Sequence, residues 1–480
     1  GQRTRITGPD YQQRARAFIF LDSRQQTAYG TLRAYFNVGN SNDYPAGSTN
    51  ATNSSAAAIY ANRAFIQLAG FTWGIATSYY DFYSSPATSY SVPWSSDTGD
   101  GGWKVAAYTA QLGNGVSASI SFEEPRRQVV TNTSVIGGTF NTVTSGTNFG
   151  TVTNPSQVVY TVGALPLQDE LKVVMPDIVA NLRIDQAWGS AQVMGAVHQV
   201  GGGYYGSTVG ASSGQISTCA FGAAGIQGNT CASHPDNKYG YAVGAGIKLN
   251  FPMIGPGDYL QAQVNYTVGA TRYAALTPAN AGSPGIFGEG AGQGSALGMG
   301  WFQDGVYCGG GSPGVITTPV SGAAVTLGLN CGSTQIQLTT AWSVQAAYEH
   351  FWTPSLRTSL VGAYTDISYN AEASAQMCGQ INGIAPTIFQ GSNTVSGLSG
   401  CAPGSFDWSY YSISSRTQWN ITKDFYVGLE GYYGHLNTMS KGQTVTYNAG
   451  TGTAQPTGLR TLEDQNVYVY RMRVHRDLVP

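Results

Sequence analysis

The chain has 480 residues, of which 10% are charged and 12% aromatic, with a formal net charge of -2; a soluble globular domain carries about 25% charged residues. Intrinsic disorder is excluded by the aromatic content and the small net charge, nucleic-acid binding finds no support in a pI near 6.2, and a helical membrane protein is excluded by a mean hydropathy of -0.13 without apolar runs of ~18 residues. A chain rich in Gly (64) and Tyr (30) but not in grease leaves a large extracellular β-protein or a transmembrane β-barrel, whose strands need an apolar residue only at every second position.

Strand signals run from end to end. No segment with a basic start and an apolar core opens the chain, which therefore reads as mature or trimmed. In Tyr11 to Leu21, Ala15, Ala17, Ile19 and Leu21 alternate with Arg14, Arg16, Phe18 and Phe20, and a short turn is expected in SRQQT. Leu32, Ala34, Phe36 and Val38 then alternate with Thr31, Arg33, Tyr35 and Asn37. The same two-faced pattern recurs in VSASISFE, in DIVANLRID and in LQAQVNYTV, where Leu260, Ala262, Val264, Tyr266 and Val268 oppose Gln261, Gln263, Asn265 and Thr267. QIQLTTAWSVQAAYE reads as one longer strand with a looser pattern. Successive side chains of a strand point to opposite faces, and blocks of about ten residues are the length of a tilted strand crossing a bilayer.

The connections alternate in length. Short turns join Leu21 to Tyr29, Ala69 to Trp73, Leu112 to Val116, Trp188 to Ala191, Ile254 to Tyr259, Phe351 to Leu356 and Thr422 to Tyr426, several with Gly and Pro turn chemistry. Long polar loops fall at about 39–58, 84–102, 126–177, 201–238, 275–333, 371–407 and 438–465. Short periplasmic turns opposite long outside loops are the sidedness of an outer-membrane barrel. A secreted β-sandwich would alternate its side chains but not its loop lengths. The expected fold is all-β: an antiparallel transmembrane barrel of sixteen strands. About fifteen are complete, Gly1 to Ile6 is the tail of a first strand mostly missing from the sequence, and the last strand is Asn466 to Val474, with Tyr468, Tyr470, Met472 and Val474 outward. Tyr29, Trp73, Trp103, Trp188, Tyr259, Trp352, Trp408, Trp419 and Tyr426 lie near strand ends, as interface anchors do.

Six cysteines fall in long loops as neighbours: Cys219 with Cys231, Cys308 with Cys331, and Cys378 with Cys401. Six allow 15 connectivities; local disulfides are expected, stiffening loops that have no core of their own and implying an oxidising route. A metal site is disfavoured because no CxxC occurs and only His234 lies near a cysteine.

Seven of the 17 arginines fall in the first 63 residues, where no lysine occurs and the acids are Asp10, Asp22 and Asp43. Arg14, Arg16, Arg33 and Arg63 sit on the polar faces of their strands. On the lipid face near the midplane an Arg costs about 2–4 kcal/mol, so alternation aims all four at the lumen as one positive wall. Arg471, Arg473 and His475 share a face of the last strand, and closure would extend the wall across the seam. The loop at about 84–102 holds Asp97 and Asp100 as well as Tyr90, Val92 and Trp94. Folding inward would house its apolar residues and set two carboxylates opposite the arginines. The competing reading makes the arginines plain solubilising charges and the loop an ordinary outside one. Catalysis has little support: five histidines are scattered and HExxH does not occur. No cofactor, metal or nucleic acid is called for.

The segment RARAFIFLDSRQQTAYGTLRAYF, with its YGTLRAY after a tight turn, and the later GGWKVAAYTAQLGNGVSASISFE resemble the general porins of alphaproteobacteria, of the rhizobial and Brucella type. The resemblance covers most strands and almost none of the loops. It implies a sixteen-stranded homotrimer in the outer membrane, set in lipid and lipopolysaccharide and passing small hydrophilic solutes by passive diffusion. It also implies a constriction loop after the fifth strand. Arg14, Arg16, Arg33 and Arg63 would form the basic side of the constriction, and Asp97 and Asp100 the acidic side. The chain departs from the pattern in lacking most of the first strand and in ending Asp477, Leu478, Val479, Pro480 rather than on an aromatic. Two other functions stay open: a solute-specific channel, and a surface binding protein anchored by its barrel.

Overall fold

The computed structural model describes residues 13–44, 58–91, 96, 101–126, 130–132, 175–202, 235–275, 285–288, 296–307, 314–317, 324–327, 335–383, 388–390, 393–396, 404–448 and 458–477. Fifteen strands form one sheet: β1 (Gln13–Thr27), β2 (Gly30–Tyr44), β3 (Ala58–Leu68), β4 (Phe71–Ala76), β5 (Trp103–Gly113), β6 (Val116–Glu123), β7 (Asp177–Gln186), β8 (Gly189–Val200), β9 (Lys238–Asn250), β10 (Tyr259–Val268), β11 (Thr340–Thr353), β12 (Leu356–Ser368), β13 (Trp408–Thr422), β14 (Phe425–Asn437) and β15 (Gln465–Arg476). Each pairs antiparallel with its neighbour in chain order, without crossovers. The expected sixteenth strand would occupy residues outside the described set.

The sheet is an inside-out protein. Val264 is 47% exposed on the outer face while Asn265 beside it is 4% exposed on the inner one. Ile120, Phe122, Leu182, Val193, Leu360, Ile413 and Leu429 lie exposed outward, whereas Gln192, Gln263, Gln345, Ser359, Ser414, Gln418 and Glu430 are buried inward. Only a hydrocarbon exterior and a polar interior reward that distribution. The sheet is also rolled. The β4–β5 connection, which leaves β4 at Ala76, reaches Glu430 on β14 by Tyr90. Ten strand spacings laid flat would take about 48 Å. Fourteen residues reach that far only fully extended, yet these include the helical turn α1 (Ser85–Thr88). Arg14 and Arg471, on the first and last described strands, lie near enough for their charges to act on one another. The class is therefore a transmembrane β-barrel.

The short turns set the register. Leu68 pairs with Phe71 around Ala69 (φ 51°) and Gly70 (φ 88°), and Gly113 with Val116 around Asn114 (φ 50°) and Gly115 (φ 74°). Positive φ at both central residues is the two-residue hairpin whose twist matches the strands. SRQQT, expected as a turn, continues β1 instead: Thr27 pairs with Gly30, so the turn is Ala28–Tyr29 alone. The strand extends because Asp22 is held across the pair by two hydrogen bonds from Arg33 on β2, and it accepts a further one from Arg24 on its own strand. The long strand expected from Gln335 breaks at Thr339, whose backbone turns to Gly269 and Asp304.

Of the expected interface aromatics, Tyr29, Trp73, Trp188, Trp352 and Trp419 are exposed at the short-turn end. Tyr239, Tyr241, Tyr266, Trp342 and Tyr468 form the opposite belt. Trp342 and Trp352 are ten residues apart on β11, about 33 Å along the strand and about 25 Å along the normal at a 40° tilt, the height of an outer-membrane apolar band. Trp408 and Tyr259 correct the expectation. Trp408 is buried and donates its indole hydrogen bond to the Trp301 carbonyl (2.8 Å), and Tyr259 gives its hydroxyl to Glu349 (2.9 Å).

The long loops also correct the expectation that they lack a core. Residues 285–288, 296–300, 458–462, 444–448, 393–396 and 388–390 build a six-stranded sheet in that order, drawn from three loops. Residues 130–132, 305–307 and 337–338 build a three-stranded one, and α2 (Ala371–Gly383) is a thirteen-residue helix. Beneath them Leu297, Met299, Trp301, Phe302, Met377, Phe406, Trp408 and Leu462 close into a buried apolar cluster.

Candidate functional site: the channel lumen

The lumen is divided by the connection between β4 and β5. From its base, Asn181 and Gln192 donate to the Tyr79 carbonyl (2.6 and 3.4 Å). Gln263 Oε1 then accepts the backbone N–H groups of Phe82 (3.1 Å) and Tyr83 (2.8 Å). The Thr88 carbonyl accepts the Ser359 hydroxyl on β12. The tip docks on the Glu430 carboxylate, which accepts the hydroxyls of Ser89 (2.6 Å) and Ser91 (2.7 Å) and the Tyr90 N–H (2.9 Å). Arg471 donates to the Tyr90 carbonyl (2.7 Å), and the Arg473 guanidinium lies 4.4 Å from the centre of the Tyr90 ring. The connection thus runs along the inner wall from β7 to β15, and the inner faces of β8 to β14 are buried beneath it.

A wholly buried ionic hub fixes its base. Arg126, after β6, donates to Asp81 (2.8 Å), to the Ser78 hydroxyl (2.6 Å) and to the Ser96 carbonyl (2.7 Å), with the Tyr273 ring 4.5 Å from its guanidinium carbon. Burial works against the Arg126 charge, but Asp81, Tyr273 and Glu123 outweigh it, so the guanidinium is held above its ordinary pKa. Burial, with Asp177 second, pushes the Tyr273 hydroxyl well up. Asp177 accepts Tyr273 (2.7 Å) and pairs with His198 (2.7 Å), and Asp304 accepts both the N–H and the hydroxyl of Thr271 (2.7 Å each). The segments flanking β6, β7, β8 and β10 are thereby tied to the foot of the lumen loop.

The inner face of β1 and β2 differs: Arg14, Arg16 and Phe20 are exposed. Arg14, Arg16, Arg33 and Arg63 share this face, as expected from alternation. The register sets Arg24 opposite Arg33, Arg33 opposite Gln67 and Arg63 opposite Asn37 on that same face. Arg33 pairs with Asp22 (2.9 Å), so its charge is largely offset, and Arg63 reaches the foot of the loop at Thr77 (3.4 Å). Arg471 and Arg473 face the lumen and meet Tyr90. Asp97 and Asp100 lie outside the described residues. So do Cys219, Cys231, Cys308, Cys331 and Cys401, while Cys378 sits on α2. No group of metal-ligating side chains occurs among the described residues. The Glu430 dock and the Arg126 hub are absent from the sequence expectations; their partners are up to 341 positions apart, and only the rarity of charge in the chain marked these groups at all.

A polar, loop-divided lumen inside an apolar cylinder defines an outer-membrane channel. A family model described as "Porin subfamily" matches residues 2–466, and the chain belongs to that family. It is a passive channel of the bacterial outer membrane. No curated protein matches it. Among solved structures it is similar to the outer-membrane channel DcaP of Acinetobacter baumannii (11% identity, 96% of this chain and 95% of that one, TM-score 0.47). It is similar also to OmpF of Salmonella typhi in complex with daunomycin (9%, 95% and 90%, 0.38) and to OprD of Pseudomonas aeruginosa (8%, 96% and 94%, 0.28).

Proposed function

We propose that the protein is a general diffusion porin of the rhizobial and Brucella type. It works as a homotrimer in lipid and lipopolysaccharide, its cysteines are joined in pairs within their loops, and its β4–β5 loop is the constriction. Solutes pass along β1 to β3 and β15, between the loop and the wall of Arg14, Arg16, Arg33, Arg63, Arg471 and Arg473. The observation that carries this reading is the unequal burial of the inner surface: Gln263 and Glu430 are 1% and 3% exposed under the loop, while Phe20 is 57% exposed on β1. Water fills one side of the lumen only. Charges lining the watered side set ion preference, and here arginine exceeds acid, with Asp97 and Asp100 assigned to the facing loop segment.

Planar bilayers test it. The native protein should open in ohmic steps grouped in threes. Replacing Arg14, Arg16, Arg33 and Arg63 by Ala should move the reversal potential under a salt gradient toward cations. Arg33 contributes least, because its loss also frees Asp22 and Arg24 to pair with each other alone. An unchanged reversal potential would remove the arginines from the conduit.

A further inference from the structure

We propose that the lumen face of β1 to β3 is a binding track for solutes that join a flat aromatic face to a carboxylate; the proposal rests on the reading of this wall as the watered side of the channel. Five aromatic side chains occupy inward positions there: Phe18 and Phe20 on β1, Tyr35 on β2, Tyr60 and Phe65 on β3. The register puts Phe18, Gly39 and Tyr60 in one row, and Asp22, Tyr35 and Phe65 in another four residues along, about 13 Å away. The Phe18 and Tyr60 rings meet edge to face at 5.9 Å, and Tyr35 and Phe65 stack at 5.2 Å with 21° between planes. Phe20 lies between the rows.

A wall exposed to water gains nothing from rings, since apolar surface is driven out of water and porin interiors are polar. The wall is nonetheless shaped around them. A Cβ on Gly39 would meet the Phe18 ring at 2.3 Å, so the glycine lets that ring lie down on the sheet. Arg33 caps the second pair, its guanidinium carbon 5.2 Å from the Tyr35 centroid and 5.4 Å from that of Phe65, while two of its nitrogens hold Asp22. That geometry fixes the rings but uses Arg33. Arg14 and Arg16 stand on the same face of β1 just beyond Phe18, and Arg63 lies between Tyr60 and Phe65 on β3. Rings stack on planar faces and the arginines favour an anion, so a solute carrying both features is held and a cation is not.

Benzoate is the probe, with cyclohexanecarboxylate, equal in charge and near in size but lacking a π face, as its control. Each is added to one side of a bilayer carrying chloride current through the whole protein. Benzoate should reduce the current saturably, and at a several-fold lower concentration than the control. In Phe18→Leu/Tyr35→Leu/Phe65→Leu the two acids should act alike. Should that variant fail to fold, Phe20→Leu, whose ring is exposed, should by itself narrow the difference several-fold, and Arg16→Gln should weaken both acids equally. Equal action of the two acids on the native channel, or a preference for benzoate that survives the leucines, overturns the proposal. An absence of chloride current in the native protein would instead refute the channel reading beneath it.

Discussion

Replacing Glu430 by Ala removes the seat of the loop tip. The carboxylate is 3% exposed and accepts three hydrogen bonds, from Ser89, Tyr90 and Ser91. Hydrogen bonds to a charged group contribute about 1.5–3 kcal/mol each, but they share one acceptor and do not add; removing one member of a buried charged set costs about 3–5 kcal/mol. The lower bound of about 3 kcal/mol corresponds to a factor of roughly 150 in the ratio of seated to released tip. The released tip swings into the watered side, so single-channel recordings should show excess open-channel noise and closure at lower voltage. Because Glu430→Ala also leaves Arg471 and Arg473 less balanced, ion preference would shift for a second reason. Gly428→Ala separates the two effects. Its Cβ would fall 1.9 Å from the Tyr90 hydroxyl oxygen, displacing the tip with no change of charge. Both variants should be noisy, and only the first should change the reversal potential. If both record as quietly as the native channel, the tip is not held by these contacts and the argument fails.

The remaining predictions concern stability and covalent state. Burial pushes Asp258 up, but hydrogen bonds from the Phe351 N–H (2.9 Å), His350 (2.6 Å) and Tyr348 (2.7 Å) outweigh it and hold the carboxyl below its ordinary value of 3.8. A depressed carboxyl stabilises the fold fully above that ordinary value and loses the contribution as pH falls through the folded value. Resistance to unfolding by heat in detergent, read as gel mobility, should therefore drop below about pH 3.8 in the native protein and be nearly flat there in Asp258→Asn; equal pH profiles would count against this turn as the source. For the cysteines, denatured protein should resist alkylation at all six until reduced, and proteolysis should release the pairs 219–231, 308–331 and 378–401 as linked peptides. Free alkylation before reduction, or links between different loops, would overturn the local pairing.

The barrel was legible because its rule is local. Val264 and Asn265 are neighbours, and which of them faces lipid follows from alternation alone. The Asn114–Gly115 turn was legible for the same reason. SRQQT misled because Ser and Gln look like a turn when the cross-strand pairing of Asp22 with Arg33 is out of view. The loop core was illegible in principle: Leu297, Met377, Trp408 and Leu462 meet only after the barrel has brought three loops together, and of these only Trp408, at the start of β13, belongs to a barrel strand. Arg126 looked like one more loop charge, yet it is wholly buried. Alternation puts the four arginines of β1 to β3 on one face, and the register does the same, but that face of β1 also carries Phe18 and Phe20, which composition alone could not show.

Charge in this lumen divides by exposure, and that division has a physical origin in the sheet. Gly246 and Gly428 leave inner-wall positions empty, and a Cβ at either would meet the Phe82 ring at 2.3 Å or the Tyr90 hydroxyl at 1.9 Å. Those vacancies let the loop lie close enough for Gln263 and Glu430 to take its backbone hydrogen bonds, and close contact excludes the water that would otherwise compete for them. Charges on the covered side are consequently paired out: Arg416 with Glu349, which also accepts Tyr259 and faces Arg357 at 3.6 Å. On the proposed reading an ion travelling the open side meets those groups as ion-paired sets behind a layer of protein, whereas it meets Arg14 and Arg16 through water. On that reading, screening over about 8 Å at physiological ionic strength leaves the exposed arginines as the charges that discriminate. Replacing a glycine of the seat moves the loop without adding or removing a charge, so it should add noise and leave the reversal potential where it was.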